Sequence, residues 1–164
     1  MRVYLPSTLP ELQRLLDTGE LGGPPPLPAY AVTEELRTWY DEGDEEELEY
    51  VALTLAARAS LRLLDADMDA PRQRVVVVAE VERTETVPHV DRAAVRVLDV
   101  VPMRLVQSVH VDDPAAVPDV RVAVDAVIEA DLGSEEAAFR MEQAEGHELL
   151  WYATQEIGPL LELS

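Results

Sequence analysis

The sequence predicts an α+β fold, with a mixed α/β arrangement as its alternative, and three observations predict it. Val75–Val81 is a nearly continuous β-branched run, the pattern of a strand covered on both faces. Residues 44–65 repeat apolar side chains at helical spacing on two faces at once, which places a long helix at the centre of the fold. Shorter apolar runs bounded by turn residues supply the remaining strands, for a mixed sheet of about five or six strands packed on helices. At 164 residues the chain is the size of one domain, so residues 1–164 are expected to form a single globular unit.

In chain order, residues 2–5 read as a strand. Thr8 and Glu11 then form a capping box, with Pro10 tolerated in the first turn. Leu9, Leu12, Leu15 and Leu16 continue at helical spacing until Gly19 ends the helix. A stiff Gly-Pro connector over 22–28 leads to a second strand, 29–32, and Thr33 caps a short helix bearing Leu36, Trp39 and Tyr40. The Asp44-x-x-Glu47 start opens the long helix. Its one polar stripe is Glu47, Thr54, Arg58, Arg62 and Asp65, so Glu47 or Asp65 is the expected partner of the two arginines. Residues 93–100 and 105–111 add strands, and Asp113-Pro114 opens a helical region closed by Leu132-Gly133. In the tail, Phe139–Met141 and Leu149–Ala153 read as a hairpin around Glu145-Gly146, in preference to a helix over 147–157. A thin echo between the first 40 residues and residues 95–111 hints at two β-α-β-α arms.

Composition excludes several chemistries. The chain has no cysteine, which removes disulfides, thiolate metal sites and thiol nucleophiles. All 13 basic residues are arginine, so Schiff-base and P-loop lysines are absent too. Thirty-three acids give a net charge of −20 without a basic stripe, which argues against nucleic acid and anionic membrane surfaces as partners. A basic protein or a second copy of the chain remains as the expected partner. No apolar run reaches the length of a membrane span and the N-terminus lacks a signal-peptide core, so the cytoplasm is the expected location.

Candidate functional residues are few. His110 and Asp112 alternate onto one face of a strand, and His147 stands beside Glu148. Together they are the candidate metal ligands or acid–base groups of a metal-assisted hydrolase. Trp39, Tyr40, Trp151, Tyr152 and Arg58 are candidates for binding a ligand or partner, against a plainer reading in which one ring of each aromatic pair anchors the core. Seven acids between Asp41 and Glu49 read first as helix-capping chemistry. Ser7-Thr8 precedes a helix but lacks the glycines of a phosphate cradle. No cofactor is predicted, a divalent metal being the open alternative.

Four stretches resemble a family of small actinobacterial proteins of unknown function. They are residues 1–8 (MRVYLPST), 47–64 around Glu47-Leu48-Glu49-Tyr50, Ser108–Asp113, and Glu145–Tyr152. The resemblance implies a high-GC source and no activity. On the residues alone, the favoured expectation is a non-enzymatic acidic interaction or regulatory domain. The metal-assisted hydrolase and a small-molecule-binding protein are the alternatives.

Overall fold

The computed structural model describes residues 1–163. β1 (Arg2–Ser7) leads into α1 (Leu9–Thr18), whose first turn is closed by Thr8 Oγ1 accepting from the Glu11 N–H. Ser7 Oγ donates to the Glu11 carboxylate, so this helix start is satisfied from within. Gly19 ends α1 in the left-handed region, at φ 80°, donating to the Leu15 carbonyl. β2 (Glu20–Leu21), β3 (Leu27–Tyr30) and α2 (Glu34–Trp39) follow. Then comes α3 (Glu45–Ala66), capped by Asp44 accepting from the Glu47 N–H. The acidic run thus caps a helix, and Glu45 also pairs with Arg37. Next are β4 (Val75–Glu80), β5 (Thr84–Thr86), β6 (Ala94–Val97), β7 (Val101–Pro102) and β8 (Val106–Val111). The chain closes with α4 (Val117–Asp131), α5 (Glu135–Glu145), β9 (Leu150–Ala153) and α6 (Ile157–Glu162).

Among the described residues, seven strands form one sheet in the order β5-β6-β3-β1-β4-β8-β9, with every neighbouring pair antiparallel. The fold is α+β. The expected mixed sheet of five or six strands is replaced by this antiparallel one. The second arm of the internal echo does not form, because Val101–Pro102 leaves the main sheet to pair with Glu20–Leu21. Both faces of β4 are covered, which explains its unbroken valine run. Val75, Val77, Val109 and Val111 pack with Leu12, Leu15 and Ile157 on one side. Val76 and Val78 pack with Tyr4, Ala52, Ala56 and Ala57 on the other. The small alanine side chains let α3 lie close to the sheet, and its far side, at Leu61 and Leu64, meets α4 and α5. Ser60 locks the contact: its Oγ donates to the Ser7 carbonyl and accepts from the Val75 N–H.

The tail departs from the expected hairpin. Leu150–Ala153 is a strand, but its partner is β8, while Phe139–Met141 lies inside α5. Ser134 caps that helix by accepting from the Ala137 N–H. Ala137, Met141 and Ala144 form its buried stripe against α4, which leaves Phe139 pointing outward.

Candidate functional site

A cavity arises from how α3 crosses the sheet. The helix packs on β1, β3 and β4, and the end strands β8 and β9 lie beside it. In the antiparallel register His110 is opposite Val76 on one side and Trp151 on the other, so all three point to the α3 face. The space between α3, these two strands and the α5–β9 connection is a cavity of about 580 Å³. Leu53, Ala57 and Leu61 of α3 and Leu149 of the connection provide apolar walls, and the rings of Tyr50 and Trp151 stand at its opening, both more than half exposed.

Its polar groups are mostly committed. Arg74, just before β4, forms a buried pair with Asp112, just after β8, at 2.8 Å through Nε and Nη2. The Arg74 N–H also donates to Asp112, and Gln73 Nε2 donates to the Asp112 carbonyl, so polar groups continue the β4–β8 ladder. Arg74 Nη2 further donates to the His147 carbonyl at 3.1 Å, which anchors the connection forming one wall. His147 Nε2 lies 2.8 Å from Asp119 Oδ2 on α4. Arg58 and Arg62 both bind Asp131, the last residue of α4, at 3.1 and 2.6 Å. A carboxylate there faces the negative end of the helix dipole, and two guanidiniums offset it. Hydrogen bonding to Arg62, reinforced by Arg58, holds the Asp131 carboxyl below its ordinary pKa.

His110 differs. It is half-buried on the cavity wall, and among the described residues its ring has no hydrogen-bond partner. Burial first, and the nearby Arg2 charge second, push its pKa below the ordinary histidine value, so the imidazole is neutral at physiological pH.

Five of the candidate residues therefore share this one cavity: His110, His147, Glu148, Trp151 and Arg58. The others do not. Both oxygens of Asp112 are held by Arg74, so it does not orient His110. Among the described residues, no group of three or more histidine and acidic side chains is placed to hold a metal ion. Trp39 and Tyr40 are exposed at another surface, where the Arg92 guanidinium lies 3.5 Å over the Trp39 ring, so neither anchors the core. Tyr152 faces the opposite side of the sheet and packs against the main core. Arg58 and Arg62 find Asp131 in place of the expected Glu47 or Asp65.

Sequence reasoning missed Arg74, Asp119 and Tyr50 as parts of the site. For Arg74 a signal existed: an arginine directly preceding a strand buried on both faces needs a carboxylate partner. Tyr50 falls on one of the two apolar faces of the long helix by spacing, which gives no sign that its ring stands exposed at a cavity.

Residues 1–161 match a family described as a family of unknown function, DUF6912. The chain belongs to that family. The residues lining the cavity all lie within the matched span. No curated protein and no solved structure shows a significant match to the chain. No helix among the described residues is long and apolar enough to cross a membrane.

Proposed function

We propose that this DUF6912 member is a small-molecule-binding protein whose site is the cavity between α3 and β8–β9. One observation supports this reading: separate elements bring apolar walls, two exposed rings and a few convergent polar groups to a cavity of about 580 Å³. That combination and size are those of small-ligand sites. The reading is binding and not catalysis. The uncommitted imidazole of the cavity, His110, lacks an orienting carboxylate, because Asp112 is spent on Arg74.

A thermal-shift screen with nucleotides, sugars and aromatic metabolites tests it. A ligand at about one hundred times its Kd adds roughly 2.7 kcal/mol, which raises Tm by several degrees at this chain length. The shift is expected to vanish in Trp151→Ala. A ligand whose shift survives that change, or a screen without any shift, overturns the assignment.

A second reading, a non-enzymatic interaction domain for a basic partner, is favoured by a different observation. Trp39 is 60% exposed beside Glu34 and Glu35, away from the cavity. A salt-sensitive complex with a basic protein, lost in Trp39→Ala and kept in Trp151→Ala, would support it.

A further inference from the structure

We infer that the ligand of the α3–β8–β9 cavity is an uncharged, planar aromatic molecule bearing a hydroxyl group that hydrogen-bonds to His110; this rests on the small-molecule reading above. The argument begins from charge. Arg58 and Arg74 line the cavity, but each already holds a carboxylate, Asp131 or Asp112. Glu145 and Glu148 also line it, and among the described residues neither has an ion-pair partner. The lining thus carries two guanidiniums already paired and two carboxylates without an ion pair, before Asp119 beside His147 is counted. An anionic ligand would meet unpaired acids on a chain of net charge −20.

Shape and hydrogen bonding narrow the class. Tyr50 from α3 and Trp151 from β9 contribute aromatic rings from two different elements, and Leu53, Ala57, Leu61 and Leu149 add aliphatic surface to the lining. A flat ring suits such walls through offset or edge-to-face stacking. His110 is the uncommitted imidazole on the wall, half-buried and beside Trp151 in the cross-strand register. A neutral imidazole offers one donor and one acceptor. A hydroxyl can both give and take a hydrogen bond, so it satisfies whichever ring nitrogen faces the cavity.

Equilibrium dialysis of the full chain at neutral pH against three probes tests this. The probes are 2-naphthol, 2-methylnaphthalene, which keeps the ring and loses the hydroxyl, and 2-naphthoate, which adds a charge. The expected order is 2-naphthol tightest, 2-methylnaphthalene about tenfold weaker, as one hydrogen bond to a half-buried group predicts, and 2-naphthoate weakest. His110→Leu should weaken 2-naphthol about tenfold and leave 2-methylnaphthalene unchanged, while His110→Gln retains part of the preference. If 2-naphthoate binds tightest, or if 2-naphthol and 2-methylnaphthalene bind alike, the inference fails and the cavity reading stands. If none of the three binds, the inference fails, while the cavity reading is decided by the broader thermal-shift screen. Should His110→Leu not fold, the order of the three probes on the unaltered protein decides alone.

Discussion

Two arginine–aspartate groups flank the cavity, and they differ in burial and in stoichiometry. Arg74 and Asp112 pair one to one, with side chains 5% and 0% exposed. Arg58 and Arg62 share a single Asp131, and all three side chains keep roughly a third of their surface in water. The chemistry is the same, so burial decides what each does. The buried pair continues the β4–β8 ladder and reaches across to the His147 carbonyl, so it shapes the cavity from within. The exposed trio ties α3 to the end of α4 from outside, where water and salt weaken it.

The largest expected effect falls on the buried group. Arg74→Ala leaves the Asp112 carboxylate desolvated and frees the His147 carbonyl, at a cost of about 3–5 kcal/mol. Chemical denaturation should show a midpoint far below that of the parent protein. A loss under about 1 kcal/mol would erase the distinction between the two groups.

Legibility in the sequence follows the same division between local and distant interactions. The capping of α1 and α3, the valine run of β4 and the short α2 were all readable, because their signals lie within a few residues of one another. The Arg74–Asp112 pair spans 38 positions and exists only because β4 and β8 adopt one register. The partner of Arg58 and Arg62 is likewise on another helix. The α5 helix was hidden by Phe139, an aromatic residue that looks like a strand core and is 70% exposed. At the site, residue type singled out His110, His147, Glu148, Trp151 and Arg58. Only the tertiary fold separates Trp151, on the cavity, from Trp39, an identical residue also followed by tyrosine, on another surface.

The exposed trio should yield a smaller effect. Asp131→Ala is expected to cost roughly 0.2–1 kcal/mol for each ion pair lost, and the cost should shrink as salt is raised. The buried pair should show little salt dependence. Equal salt slopes for Asp131→Ala and Arg74→Ala would contradict the contrast in burial.

Acid titration sharpens the comparison further. The Asp131 carboxyl has a lowered pKa in the folded protein, so its contribution to stability is complete above the unfolded value of about 4 and is lost as pH falls through the folded value. His110 also has a lowered pKa, because its neutral form is favoured in the fold. Its contribution is complete above the unfolded value of about 6.5 and disappears as pH falls through the folded value, at higher pH than the Asp131 loss. Stability measured against pH should therefore decline in two stages. Asp131→Asn should remove the lower one and His110→Leu the upper one. A single decline unaffected by either substitution would refute both assignments.

The smallest expected effect on stability belongs to an exposed ring at the cavity opening. Trp151 is 60% exposed on an end strand, and its ring caps the cavity without filling the core. Trp151→Ala should shift the unfolding free energy by no more than about 0.5 kcal/mol, the range of exposed positions. The same change removes one of the two rings available to a ligand. A residue of this size kept in water contributes little to the fold, and under the proposed binding role its contribution is contact with a ligand. If Trp151→Ala instead destabilised the protein as much as Arg74→Ala, the ring would be a structural element. The cavity would then be a packing gap between α3 and the sheet, with its shape owed to the fold and not to a ligand.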